Sequence, residues 1–416
     1  MTTWLVPALA GGVVLAGVAG WVGGRSRLVP AVLLLATAAG ISVAIAASRS
    51  SGPGAAFTDV HLGSLVISRL AAGIVIGGWA ALVLQLGVVR SPGVSAGGAA
   101  VAILAGVGCS LALATTGFAP MALLLAMTSA LIWIRWVHLA GPLLPLRSLG
   151  RQSALVFCAL VGAVGLLPSE RIGAVPAVLT GLLLVGGLVG VVGLLPLSSW
   201  VGAASRVAVA EAAVWRIWMV PTGILVVARV LVASPSGLEK VIQLLLVALG
   251  LATAIFWGCA GFRADPSTRY WRVLQADVGV MCVGVASGDA AGLAAVALLI
   301  VVHWLVGAAL SEPQGARSHL VAWLGLSGVP PFGGFAGRVL ALFGAAFMGP
   351  VVVALLLIVF GLQLAACASG IREAVRRAAL RGPRLGESIG LVAALASLAA
   401  GLLGGPILSA LFGLRV

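Results

Sequence analysis

GLSGVPPFGGFAGRVL, residues 325–340, places two adjacent prolines, five glycines and one arginine inside a long apolar stretch. Pro330 and Pro331 remove two backbone donors, and the first of them pushes Val329 away from helical geometry. Gly333, Gly334 and Gly337 let the chain turn and let neighbouring elements approach closely. Arg338 follows directly. A helix that should run through this stretch is therefore expected to break, with a permanent cation just beyond the break.

The surroundings give that break its meaning. The chain has 416 residues, of which 62% are hydrophobic and only 8% charged, and its mean hydropathy is +1.22. Soluble domains carry about 25% charged residues. Apolar runs of about 20 residues recur from end to end, each long enough to cross a bilayer as a helix. They lack the alternation of a membrane β-barrel. The fold class read from this is an all-α polytopic membrane protein, a single membrane domain over 1–416 with no soluble domain. The pattern predicts fourteen spans: 4–22, 28–47, 65–88, 95–115, 118–139, 153–167, 173–195, 209–232, 239–262, 270–287, 290–310, 319–347, 350–371 and 387–412. Discontinuous helices are expected near 196–221 and 325–338.

The net charge is +14, yet the basic residues are dispersed among loops, which argues against a nucleic-acid surface. Loops after odd-numbered spans hold Arg25, Arg27, Arg90, Arg147, Arg151, Arg206, Arg263, Arg269 and Arg317, and loops after even-numbered spans hold few. Those rich loops are expected to be cytoplasmic, with both termini outside. Arg372, Arg376, Arg377, Arg381 and Arg384 make 372–385 a basic segment, read as a short amphipathic helix on the cytoplasmic surface beside anionic lipid. No basic region precedes the first run, so 4–22 reads as a retained span. The five cysteines are scattered singly, which argues against iron–sulfur, zinc and disulfide roles. GGLVGVVG (186–193) lies inside a span and reads as close helix packing through small residues.

A charge at membrane depth costs roughly 2.5–3.5 kcal/mol on insertion scales, so each one is a functional candidate. The sequence places Arg135, Glu211, Arg216, Arg229, Asp277, His303 and Arg338 within spans. Pro196, Pro221, Pro330 and Pro331 lie within spans or at their junctions, and the backbone groups they free must be buried in protein or line a wet cavity. Each candidate has two readings. His303 is a satisfied interhelical hydrogen bond or a proton switch, since an imidazole ordinarily titrates near pH 6.5. Asp277 pairs with Arg272 at the bilayer edge or belongs to a proton path. Glu211 and Arg216 form a structural ion pair or belong to the same path. Arg338 faces a hydrated or protein-lined interior, or snorkels to an interface.

LGLSGVPPFGGFAGRVL (324–340) resembles the L-S-L-x-G-x-P-P-x-x-G-F-x-G-K signature of the antiporter-like membrane subunits of respiratory complex I and of Mrp-type cation/proton antiporters. Further pieces resemble that family in the same order. GLLPLSSWVGAASR (193–206) looks like G-x-x-P-F-H-x-W-L-P-D-A. RIWMVPTGILVVAR (216–229) is similar to the helix ending K-x-G-x-Y-x-L-x-R, with Gly223 and Arg229 in place. FRADPSTRYWRVLQADVG (262–279), HWLVG (303–307) and AAFTDVHLGSLVISRL (55–70) complete the series. The resemblance covers most of the chain, and its short length points to the subunit N (subunit 2) type. It implies an antiporter-like inverted-repeat fold.

The departures carry the information. The family relays protons along one glutamate and several lysines. Carried across position by position, the glutamate falls at Met127, the lysines at Val191, Pro221 and Gly307, and the histidine of Pro-Phe-His at Ser198. Only Arg338 keeps a charge, and Lys240 is the sole lysine in the chain. Lysine can shed its proton when buried, whereas arginine stays protonated. The expectation is a membrane-arm subunit of a complex I-like quinone oxidoreductase. It either supports proton translocation through Asp277, His303, Glu211 and the broken helices or keeps only a structural role. An Mrp-type antiporter subunit and an unrelated solute transporter are the alternatives; the latter needs a polar pocket that few residues here could build. No cofactor or metal is expected on this chain. Partners would be other membrane-arm subunits, with quinone only at neighbouring subunits. The abundance of Ala, Gly, Val and Arg suggests a bacterial cytoplasmic membrane.

Overall fold

The computed structural model describes residues 70–82, 85, 96–114, 118–140, 174–195, 198, 204, 207, 209–234, 236–311, 316–380 and 388–407. The predicted spans 4–22, 28–47 and 153–167 lie outside these residues, as does Pro196. The described elements are all helical. Among the described residues, six helical stretches are long and apolar enough to cross a membrane. The structure divides the chain into two compact units, Met1–Val192 with Arg206–Leu238, and Gly193–Ser205 with Glu239–Val416.

The first unit contains α1 (Leu70–Leu82), α2 (Ala96–Ala114), α3 (Phe118–Ala140), α4 (Ala174–Val192), α5 (Val209–Val214) and α6 (Val220–Ala233). A π-helical turn, Trp215–Met219, joins α5 to α6. Its core is aromatic. Trp79, Trp133, Trp136, Trp215 and Trp218 are all buried. Trp79 meets Trp218 edge-on with ring centroids 5.1 Å apart, and Trp136 lies 5.5 Å from Trp215. Room for the Trp218 indole comes from glycine. A Cβ on Gly78 would lie 2.7 Å from its ring, and one on Gly106 2.8 Å.

Pro221 does not break this helix, contrary to the sequence expectation. The backbone stays right-handed helical from Val214 to Val220, and the N–H of Val220 bonds to the carbonyl of Trp215. The wider π turn absorbs the crowding that a proline ring imposes on the preceding turn.

The second unit contains α7 (Ser236–Phe262), α8 (Pro266–Ser287), α9 (Ala290–Leu310), α10 (Ala316–Ser327), α11 (Gly333–Ala346), α12 (Pro350–Leu380), α13 (Ser388–Leu402) and α14 (Gly404–Ile407). Proline in its first turn starts α8, and Gly288, at φ 68°, ends it in the left-handed conformation, a common helix stop. Asp289 then caps α9 by accepting the Gly292 N–H at 2.6 Å. Helix α9 is apolar on every side and is almost wholly buried, as a core helix should be. Helices α8, α10, α11 and α13 surround it.

The 325–340 stretch breaks as its composition requires. Helix α10 stops at Ser327, Gly328 takes φ 75° and the Pro330–Pro331 bond is cis. The Phe332 N–H bonds to the Val329 carbonyl at 3.1 Å, and α11 begins at Gly333. With 12 and 14 residues, the two pieces are about 18 and 21 Å long at 1.5 Å per residue. Neither alone matches the roughly 30 Å hydrocarbon core.

The basic segment differs from expectation in form. Its described part, 372–380, is the end of a longer helix. Helix α12 runs 31 residues without interruption to Leu380, about 46 Å, so its arginine-bearing end extends beyond what a hydrocarbon core of about 30 Å accommodates.

Candidate functional site: a buried quartet at the helix break

Four side chains from four helices of the second unit converge beside the break. Asp277 sits at the middle of α8, about 15 Å from either end, and is 0% exposed. Its Oδ2 lies 2.8 Å from Nε2 of His303 on α9. Its Oδ1 accepts the Gln363 side-chain amide of α12 at 2.7 Å. Arg338 of α11 donates Nη2 to both carboxylate oxygens, at 3.3 and 3.4 Å.

Arg338 also explains how the break is satisfied. Its Nη1 reaches back to the Leu326 carbonyl in the last turn of α10, at 2.6 Å. That carbonyl belongs to a helix C-terminus, where orphan acceptors need a donor and the dipole favours a cation. The Nε of the same guanidinium donates to Gln363 Oε1 at 2.9 Å, and its central carbon lies 5.8 Å from the Phe360 ring centroid. One rigid five-donor fork thus ties α10, α8 and α12 to α11. Glycine makes the approach possible. A Cβ on Gly334 would collide with the Gly325 carbonyl oxygen, and one on Gly328 would lie 2.5 Å from Arg338 Nη1.

The quartet is closely satisfied. Gln363 bridges, its amide oxygen facing the guanidinium and its nitrogen facing the carboxylate, the only orientation that fits both partners. The Tyr270 hydroxyl donates to the His303 backbone carbonyl at 3.2 Å. His303 Nδ1 is the exception, buried with no hydrogen-bond partner among the described residues. Ion pairs of this kind overcome desolvation only when further hydrogen bonds complete the geometry, and here they do.

The sequence candidates divide between the units. His303, Asp277 and Arg338 are brought together. The expected Asp277–Arg272 pair at a bilayer edge is not formed. Arg272 Nη1 donates instead to the Ala260 carbonyl at 2.8 Å, because it lies five residues along α8 on a different face. Glu211 and Arg216 belong to the first unit and have separate partners. Glu211 is salt-bridged to Arg135 at 2.8 Å, and Arg216 Nη2 donates to Gln85 at 2.8 Å. Pro330 and Pro331 form the break, and Gly333 and Gly334 open α11.

The register that placed the family glutamate at Met127 lands on an outward face, where Met127 is 63% exposed; Thr128 and Ser129 are the inward positions of that turn. Val191, Pro221 and Gly307 are buried, with no proton-carrying group. Sequence reasoning missed Gln363 because only charges were sought. A lone glutamine in the apolar run VVVALLLIVFGLQLAACA was the available signal. Gln275, two residues before Asp277, was missed for the same reason; its amide donates to the Gly193 carbonyl. Beside it, the Leu195 N–H donates to Thr253 at 2.9 Å.

No family model and no curated protein matches the sequence. Solved structures do match the fold. A chain of respiratory complex I from Thermus thermophilus superposes with TM-score 0.74 at 19% identity, over 97% of this chain and 99% of that one. A chain of the Mrp complex from Dietzia sp. DQ12-45-1b gives TM-score 0.78 at 17% identity, over 99% of this chain but 52% of that one. A chain of the membrane-bound sulfane sulfur reductase, an archaeal respiratory membrane complex, gives 0.77 at 15% identity, over 98% and 96%. The chain shares its fold with these membrane-complex chains.

Proposed function

We propose that this chain is a membrane-arm subunit of a complex I-like respiratory assembly, in which the second unit retains a proton-handling site. The observation that carries this reading is the Asp277–His303–Arg338–Gln363 quartet, buried midway along its helices at a broken helix. Discontinuous helices carrying charge are how membrane transporters build ion sites. Redox chemistry and quinone binding would belong to partner subunits, and this chain would hold no cofactor. The subunit N type, the bacterial cytoplasmic membrane and external termini complete the proposal. Two experiments test it. The tagged full-length chain, purified from its native membrane, should bring other membrane-arm subunits with it. In the reconstituted complex, His303→Ala and Asp277→Asn should reduce proton flux; unchanged flux in both removes the transport role and leaves a structural one.

An Mrp-type assembly is the second reading. The Dietzia Mrp chain favours it, since its superposition reaches TM-score 0.78. Co-purification with hydrophilic redox subunits decides for the first reading, and co-purification with antiporter subunits alone decides for the second.

A further inference from the structure

We infer that the quartet is a one-proton site: Arg338 and Gln363 hold Asp277 permanently as the carboxylate, and the single exchangeable proton is taken up at His303 Nδ1. The inference takes its place in transport from the proposed function, and its chemistry from the quartet alone.

The charge count begins with Arg338. Guanidinium does not deprotonate in proteins, so the site always holds one positive charge. Asp277 faces that charge at 3.3 Å and accepts from Gln363 at 2.7 Å. An ionised carboxylate is an acceptor only, and the Arg338 and Gln363 groups aimed at Asp277 are donors. A proton on Oδ1 would face the Gln363 donor and lose that hydrogen bond, and a proton on either oxygen would give up the charge pairing with Arg338. With the carboxylate accepting, His303 must carry its proton on Nε2, the atom 2.8 Å from Oδ2. The neutral ring then presents its lone pair at Nδ1. That atom is buried and has no partner among the described residues, and His303 as a whole is 2% exposed.

Among the described residues, the other ionisable groups around α9 turn away or lie farther off, and the Cys367 thiol of α12 is the one further group that interacts with Arg338 and Asp277. Helices α8, α10, α11 and α13 pack against α9. On α8, Asp277 and Tyr270 face His303. Arg269 and Arg272 turn away to the carbonyls of Ala264 and Ala260, and the Cys282 thiol is buried farther along. The only ionisable residue of α11 is Arg338, and α13 has none. On α10, Arg317 and His319 lie in the first turns, at the end away from the break. Uptake of a solvent proton therefore forms one N–H bond at Nδ1 and takes the quartet from neutral to a single positive charge. Release breaks that same bond. Arg338 is a positioning residue, fixing the tautomer through Asp277.

Isotope-edited infrared difference spectra, acid minus neutral, on the purified full-length chain in lipid nanodiscs test this. In the wild type we expect an imidazole-to-imidazolium change that His303→Gln abolishes, and no protonated-carboxyl signal from Asp277. Arg338→Gln should bring out a carboxyl signal that the added Asp277→Asn removes. Arg338→Lys, which keeps the charge, should keep Asp277 silent. A role for Arg338 in packing alone would not move the proton between residues. A protonated Asp277 in the wild type, no His303 change, or an Arg338→Gln spectrum identical to wild type overturns the inference. If Arg338→Gln does not fold, the wild-type, His303→Gln and Asp277→Asn spectra decide by themselves. A positive spectrum with no co-purifying subunits would leave the site standing and remove the assembly, so the two failures are separable.

Discussion

Replacing Asp277 by Asn removes the anion and keeps the shape, and it should be among the most damaging single changes in the second unit. The carboxylate accepts from Arg338 and Gln363 and lies 2.8 Å from His303 Nε2. Without it, the Arg338 guanidinium remains, 4% exposed, with the Leu326 carbonyl and the Gln363 oxygen but no counter-charge. Removing one partner of a buried ion pair costs about 3–5 kcal/mol, which is roughly a hundredfold to a few thousandfold in the folding equilibrium. The double variant Asp277→Asn/Arg338→Gln removes both charges and should recover part of that loss, with a coupling of about 1–3 kcal/mol for residues in direct contact. The assay is reversible unfolding of the full-length chain in mixed micelles, titrated with SDS and followed by circular dichroism. A loss below about 0.5 kcal/mol for the single variant, typical of an unremarkable surface substitution, would refute the reasoning. So would a double variant whose loss equals the sum of its parts.

Gly334→Ala should destabilise by about 1–3 kcal/mol by overpacking, since its Cβ would meet the Gly325 carbonyl; Gly361→Ala, with nothing within 4 Å of its Cβ, is the control and should be neutral in the same SDS titration. Trp218→Ala should cost about 3–5 kcal/mol, because the space Gly78 and Gly106 leave for its ring cannot collapse. Glu211→Gln should cost less than Asp277→Asn, about 1–3 kcal/mol, because its Arg135 partner is less completely buried, with 16% of its side chain exposed; proton flux in the reconstituted complex should not change. Arg377→Gln, which loses an exposed α12 pair with Glu373 at 2.9 Å, should change stability by less than about 0.5 kcal/mol.

Much of the candidate site was legible before any fold was known, for reasons tied to particular residues. His303, Asp277 and Arg338 stood out because charge inside apolar runs is costly. Pro330–Pro331 announced its own break, since no helix carries two consecutive prolines through its interior without losing hydrogen bonds. Pro221 gave the same local signal and misled. A π turn is a cooperative adjustment of the preceding backbone, and one residue's preference does not reveal it. Partner choice was less legible still. Arg272 is the arginine nearest to Asp277 along the chain, but the structure selects Arg338, 61 residues away. Gln363 carries no charge, and its importance appears only once its amide is seen between a guanidinium and a carboxylate.

Composition and local chemistry alone determined that this chain is built of apolar helices, that it must break at Pro330–Pro331, and which few side chains must find partners. Those outcomes follow from the energy of single groups in hydrocarbon, which every residue carries with it. Tertiary structure decided which of those side chains meet. A hydrogen bond between α8, α9, α11 and α12 depends on the rotation and height of four helices at once, and these are set by packing along their whole lengths.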